Sequence, residues 1–292
     1  MASKREIQSE LETLSGLQTM VEAFEEIGTS KMRKVRDSVL HNRDFLDNLN
    51  NIFAQVKRTY TSQVETLMKK KKITDIKKLS FRKTNGKTVF VLLSSNAGFY
   101  GDIIKRTFEL FLENIKKTPN AEAVVIGKMG LAYFTEENVT IPYTYFDLSD
   151  VRTDNDSMKK IITHLIAYEK IYVFHGKFQS LVVQNPSITS ISGDLLESTQ
   201  SQNAPVVKYI FEPSLETIMN FFETEIFASV FEQSVHESEL SKYASRMVSL
   251  DASVVNIKNQ IQKVKFEESR LRHRIENRKQ LNVLASMVLW NT

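Results

Sequence analysis

The sequence predicts an α/β protein in which a Rossmann-like α/β domain is inserted between N- and C-terminal helices that pair as a long antiparallel coiled coil. Glycine and proline are scarce, nine and five in 292 residues, less than half of the roughly 12% usual in globular chains. All five prolines (Pro119, Pro142, Pro186, Pro205, Pro213) fall in the middle, and no glycine follows Gly193 or lies between Gly28 and Gly86. Apolar residues recur at helical spacing on both flanks. In the middle the period changes to short β-rich runs separated by helical ones. This pattern excludes a turn-rich all-β protein and a Pro/Gly-rich disordered chain.

The first helix is expected from Lys4 to about Tyr60. Ile7, Leu11, Leu14, Leu17, Val21, Phe24 and Ile27, then Met32, Val35, Val39, Leu46, Leu49, Phe53 and Val56, read as a stripe on one face. Gly16 and Gly28 are its weak points, each costing on the order of 1 kcal/mol against Ala. If this helix bends, Gly28 is the expected place. Lys69–Lys72, Lys77 and Lys78 mark a solvated hinge. Beyond it, Thr88–Ser94, Ala121–Ile126 and Lys170–Phe174 read as buried parallel strands. Helical stretches follow at Asp102–Lys117, Met129–Phe134 and Asp156–Tyr168, and this alternation argues an open sheet. Phe178–Gln184, Ser187–Ile191 and Lys208–Phe211 are candidates for further strands. The last helix starts after Ser214, a plausible N-cap, and runs to the C-terminus. Met247, Leu250, Val254, Ile257, Ile261 and Val264 alternate steps of 3 and 4, an a/d seam. The expected divisions are 1–60, 61–213 and 214–292.

Chemistry is hard to find. The chain has no cysteine, which excludes disulfides, thiol catalysis and Cys-ligated zinc. Five histidines (His41, His164, His175, His236, His273) show no i, i+4 pairing, so no metal site is expected. Adjacent carboxylates such as Glu25-Glu26 and Glu267-Glu268 point about 100° apart on a helix and suit no shared acid–base role. Ser94–Asp102 follows a strand and opens a helix, where a phosphate-binding turn would sit. It lacks both GxGxxG and a P-loop Lys-Ser/Thr, and Asp102 would repel phosphate, so it reads as a tight turn. No catalytic residue, cofactor or direct small-molecule substrate is predicted. The N-terminus has no apolar core of a signal peptide and no run approaches a membrane span, so an intracellular protein is expected.

Charge is patterned despite a net of only +4. Residues 1–28 carry Glu6, Glu10, Glu12, Glu22, Glu25 and Glu26 against Lys4 and Arg5. Lys31, Arg33, Lys34 and Arg36 follow, and residues 263–280 hold seven cations against three glutamates. Antiparallel pairing would set the basic stretch beside the acidic one. The excess cations can alternatively engage acidic segments of a surrounding protein. Nucleic acid is disfavoured, since the aromatic interleaving of single-strand binders is absent.

Local motifs carry a resemblance. Tyr168, Ile171, Phe178, Gln184 and Pro186 fall as in Y-x-x-I-x-x-x-x-x-x-F-x-x-x-x-x-Q-x-P. Ser94–Gly101 is similar to an S-x-x-G-L-C-G turn, and Val125-Ile126-Gly127-Lys128 with Gly130 and Phe134 to V-I-G-K-K-G…F. Phe211-Glu212-Pro213 resembles a Y-E-P helix start. Glu237-Ser238, Ser241 and Ala244–Met247 resemble E-S-x-x-S-E-x-x-A-R-M. Together, in this order, they resemble the γ subunit of F-type ATP synthases over essentially the whole chain.

The resemblance implies a central rotary shaft within an α3β3 ATPase hexamer, with hydrolysis belonging to α and β. It implies hexamer contacts at Lys31, Arg33, Lys34, Arg246, Met247, Arg270, Arg274, Ile275, Arg278, Leu284 and Trp290. Phe99, Tyr100 and Lys105 become contacts of the foot, whose partners would be an ε subunit and a c-ring or substitutes for them. A peripheral place on the cytoplasmic side of the cell membrane follows. Departures from the family pattern are Glu22 and Glu25 at two family lysines, and Arg274–Arg278 in place of an I-T-Q-E-L-like end. They leave open the shaft of a paralogous F-type-like motor driving a process such as motility, or a stand-alone coiled-coil scaffold.

Overall fold

The computed structural model describes residues 3–71, 84–118, 120–139, 141–150, 155–191, 212 and 215–290. For helical residues 54–71, 215, 216, 219 and 288–290 it describes the backbone alone. The element order is α1 (Lys4–Lys71), β1 (Thr88–Leu93), α2 (Ile103–Lys116), β2 (Glu122–Ile126), α3 (Lys128–Glu136), β3 (Tyr143–Phe146), α4 (Asn155–Leu165), β4 (Lys170–Phe178), β5 (Gln184–Ser190) and α5 (Leu215–Trp290). Two compact units form, Met1–Ser30 with Arg246–Thr292 and Lys31–Ser245.

Helix α1 runs past the expected end at Tyr60 and continues through Gly16 and Gly28 without interruption. It opens on a reciprocal capping box: the Glu6 amide donates to Ser3 Oγ at 3.2 Å and the Ser3 amide to Glu6 Oε2 at 2.7 Å. A line of its covered residues alternates steps of 4 and 3, through Ile7, Leu11, Leu14, Gln18, Val21, Glu25, Gly28, Met32, Val35, Val39, Asn42, Leu46, Leu49 and Phe53, with Thr29, Lys31 and Asn50 half-buried beside it. The expected stripe is corrected here, because Leu17, Phe24 and Ile27 are exposed. Consecutive steps of three advance about 3.3 residues at a time and drift around the helix, whereas a two-helix seam needs about 3.5. The seam keeps its period by accepting Gln18, Glu25 and Gly28.

On α5 the expected seam holds, with Val254 and Val264 buried and Met247, Leu250, Ile257 and Ile261 half-buried. The helices pair antiparallel. In the first unit Ile7 and Leu14 pack with Val264, Lys258 Nζ lies 3.7 Å from Glu22 Oε1, and Thr29 Oγ1 donates to Met247 Sδ at 3.8 Å. In the second, Arg43 pairs with Glu237 and Phe53 packs on Phe222 with ring centroids 5.9 Å apart. In both, rising numbers on α1 meet falling numbers on α5. Ser214, Pro213, Lys72, Lys77, Lys78 and Lys208–Phe211 lie outside the described residues.

The sheet has order β3-β2-β1-β4-β5. β1, β2, β3 and β4 are parallel and β5 closes the edge antiparallel to β4. The run at Phe178–Gln184 is not a strand of its own: Phe178 ends β4, Gln184 opens β5, and the Gln179 and Ser180 amides donate to the Val183 carbonyl in the turn between them. β3 has no counterpart in the sequence reading. One face buries Phe90, Leu92, Val125 and Phe174 under Phe108, Phe111 and Ile115 of α2 and Phe134 of α3. The other buries Val89, Val91, Val124 and Val173 under Ile161 and Leu165 of α4 and Phe227, Phe231 and Val235 of α5.

Candidate functional site

In an open parallel sheet the ligand crevice lies beyond the carboxyl ends of the strands, where the order reverses. Here that point is between β1 and β4. The chain fills it with its own α5. Ser234, Ser238, Ser241 and Ser245 are spaced 4, 3 and 4 apart, and all are buried. Small side chains let the helix approach, and Gly176 on β4 meets it from the sheet. A Cβ built on Gly176 would stand 2.5 Å from Ser241 Oγ. Beside it, over the ends of β1 and β2, the space among Ser94, Ile126, Ser149, Asp150, Ser238 and Lys242 is about 20 Å³, room for a single water and far below a nucleotide.

The β1–α2 turn is drawn in from several sides. Asp150 Oδ2 accepts the Asn96 and Ala97 amides at 2.6 and 2.8 Å. Asn96 Nδ2 donates to Asp147 Oδ1 at 2.6 Å, and its Oδ1 accepts the Lys128 amide at 3.0 Å. Gly127 sits at φ +97°, where a Cβ would lie 2.8 Å from the Ser95 amide nitrogen, so neither its backbone nor its space suits an L side chain. Lys242 of α5 completes the arrangement. Its Nζ donates to the Ser94 carbonyl at 3.2 Å and pairs with Asp150 Oδ1 at 3.1 Å. The Tyr243 hydroxyl donates to the Asp150 carbonyl at 2.8 Å. The Ser94, Asn96 and Ala97 amides of this turn are thus taken by Ile126 and Asp150 and are not available to a phosphate.

His175 is buried on β4, its Nε2 2.8 Å from Thr189 Oγ1, and burial holds its pKa below the ordinary value. His236 lies between Glu232 and Glu239, each 3.6 Å away, and their carboxylates push its pKa up to about 9. At the amino ends of the strands the Tyr168 hydroxyl donates to Glu122 Oε2 at 2.6 Å and Lys87 Nζ lies 2.6 Å from Glu122 Oε1. Among the described residues no group of three His, Asp or Glu could hold a metal ion, and no helix is long and apolar enough to cross a membrane.

The residues singled out in the sequence are scattered along the chain. Arg33 and Lys34 are exposed on α1, while Lys31 Nζ lies 5.9 Å from the Tyr243 ring centroid. The Arg246 guanidinium sits over Phe24 at 5.7 Å, and Arg270 over Phe266 at 5.9 Å. Arg270, Arg274, Ile275, Arg278 and Leu284 are exposed on α5, while the Trp290 side chain lies outside the described residues. Two neighbours in the β1–α2 turn diverge. Phe99 is 83% exposed at φ +65°, whereas Tyr100 is buried against Tyr243, ring centroids 6.1 Å apart. Lys105 is exposed on α2. Lys242 and Asp150 were not singled out. The available signal was Lys242 standing at the second acidic position of E-S-x-x-S-E-x-x-A-R-M.

The family model described as ATP synthase matches residues 3–275. The chain belongs to the ATP synthase γ chain family. It is 24% identical over 276 residues to the ATP synthase gamma chain of Actinobacillus succinogenes, covering 89% of this chain and 90% of that one. The γ chain of Psychrobacter arcticus is 22% identical over 286 residues, covering 93% and 94%. The central-stalk and c-ring structure of Tetrahymena thermophila mitochondrial ATP synthase shares the fold, with TM-score 0.53 at 16% identity over 80% of this chain and 99% of that one. This γ-family chain is accordingly a non-catalytic subunit, the central stalk of a rotary F-type ATP synthase. The filled crevice agrees with that role: the α/β domain spends its ligand edge on holding α5.

Proposed function

We propose that the paired helices turn inside an α3β3 ring and that the α/β domain carries the rotation to a membrane-side partner such as a proton-conducting c-ring. The observation that carries this reading is the seam. Within helices of 68 and 76 residues, α1 keeps heptad spacing from Ile7 to Phe53 even where it admits Gln18, Glu25 and Gly28, α5 keeps it from Met247 to Val264, and no proline interrupts either. Proline or a broken hydrogen-bond ladder would kink a helix, and a kinked shaft would lose torque as bending.

Contacts with the ring are assigned to Arg33, Lys34, Arg270, Arg274, Ile275, Arg278 and Leu284, which are solvent-facing, and to Lys31, Arg246, Met247 and Trp290 beside them. Cations at these positions suit the acidic segments of a surrounding protein. Phe99 and Lys105 are offered as contacts of the α/β domain, with Tyr100 packing the turn that presents Phe99. Such a complex would sit peripherally on the cytoplasmic side of the cell membrane.

Affinity purification of the tagged chain from its native cells tests the reading. Recovery of P-loop ATPase α- and β-type subunits supports it. A homodimer free of ATPase subunits contradicts it.

A further inference from the structure

Over residues 227–235 α5 meets the sheet chiefly with apolar side chains. Phe227, Phe231 and Val235 join the core formed by Val89, Val91 and Val173. Apolar burial is non-directional: it selects the face of α5 that meets the sheet but opposes a small roll about the helix axis only weakly. Directional contacts with the sheet edge concentrate in one turn, residues 241–243. Ser241 presses on Gly176. Lys242 binds the Ser94 carbonyl and Asp150, and Tyr243 binds the Asp150 carbonyl. Asp150 is itself anchored to the Asn96 and Ala97 amides. The turn thus reaches the segments after both β1 and β3. The ion pair of Arg43 with Glu237 ties α5 to α1, not to the sheet.

The side chains of Lys242 and Asp150 are 8% and 7% exposed. A pair buried this deeply returns little net stability, because desolvation of both charges offsets their attraction, and its best-attested use is in fixing register. We propose that Lys242, acting through Asp150, is a positioning residue that sets the rotational register of α5 on the sheet, so that torque passes between helix and α/β domain without roll. Its mechanical meaning rests on the shaft reading above; the register itself does not.

The test uses the full-length chain, which has no native cysteine to remove. Spin labels on Lys159→Cys in α4 and Asn220→Cys in α5, both exposed positions, report the angle of α5 as a distance distribution. Lys242→Arg keeps one narrow population. Lys242→Met broadens or splits it. The double variant Lys242→Met/Asp150→Asn leaves no uncompensated charge, so it folds with a melting temperature near that of the parent and still broadens. If the folded double variant keeps the parental distribution and only thermal stability moves, the pair is merely structural and the proposal fails. In the purified complex the same double variant should lower ATP-driven torque while hydrolysis by the ring persists. Broadening in the free chain, combined with no association with any ATPase, would instead leave the register standing and overturn the shaft reading.

Discussion

Gly176 on β4 faces Ser241 on α5 across a gap that one carbon atom would close: a Cβ there would lie 2.5 Å from Ser241 Oγ, 2.9 Å from Ile103 Cγ1 and 3.1 Å from Ser241 Cβ. Gly176→Ala should therefore destabilise the chain by about 1–3 kcal/mol, the usual cost of overpacking. Among the described residues Ser241 Oγ is buried without a hydrogen-bond partner. Ser241→Ala removes that unmet hydroxyl, so it should be neutral or stabilising, and it should partly rescue Gly176→Ala. Urea denaturation of the two single variants and the double checks both statements. A Gly176→Ala protein as stable as the parent would mean that helix and strand are not in this contact.

Gly28 and Gly16 predict the opposite sign. A Cβ at Gly28 would meet Met247 Cγ at 3.7 Å, an ordinary contact, and one at Gly16 would meet nothing within 4 Å. Both positions are helical, so each Gly→Ala change should stabilise by roughly 0.5–1 kcal/mol. A rise in melting temperature measures it. A fall for Gly28→Ala would mean that α1 needs a glycine there for a bend.

His236 gives stability a dependence on alkaline pH. Its pKa is pushed up to about 9, chiefly by hydrogen bonding to Glu232 and then Glu239. A group with a raised folded pKa contributes fully below its unfolded value, ordinarily about 6.5, and loses that contribution as pH rises through the folded one. Unfolding free energy should decline between about pH 6.5 and 9, and His236→Gln should flatten that decline. Denaturation curves across this range decide it.

Tyr168 and Glu122 give the acid side. Hydrogen bonds from Lys87, then Tyr168, hold the Glu122 carboxyl below its ordinary pKa. Its contribution is therefore present above the unfolded value and lost as pH falls through the lowered one. Tyr168→Phe should cost about 1 kcal/mol at neutral pH, since the acceptor is charged but partly solvated. The penalty should shrink in acid, measured by the same denaturation series.

The parts legible in the sequence were those whose signal is local and apolar. Strands β1, β2 and β4 are continuous hydrophobic runs because both faces are covered, and the seam from Met247 to Val264 repeats without a polar interruption. The α1 seam was legible only in part: Gln18, Glu25 and Gly28 occupy it, while the apolar Leu17, Phe24 and Ile27 beside them are exposed. β3 escaped because its four residues at the sheet edge are exposed or half-buried, which leaves no buried run to read. The capping box at Ser3 and Glu6 was readable from its spacing alone. The Lys242–Asp150 pair was not, since 92 residues separate its partners and only the fold brings them together.

If this chain turns inside an ATPase ring, its rotation can be observed directly. Lys105 is exposed on α2, so Lys105→Cys offers a unique attachment point for a bead on the α/β domain of the purified complex, with the ATPase ring fixed to glass. The expected result is ATP-driven, unidirectional turning of the bead in steps of about 120°, as three-fold symmetry of the ring requires. Deleting residues 275–292 should lower the torque with the bead still attached. A ring that hydrolyses ATP while the bead on the intact chain stays still would contradict the shaft reading.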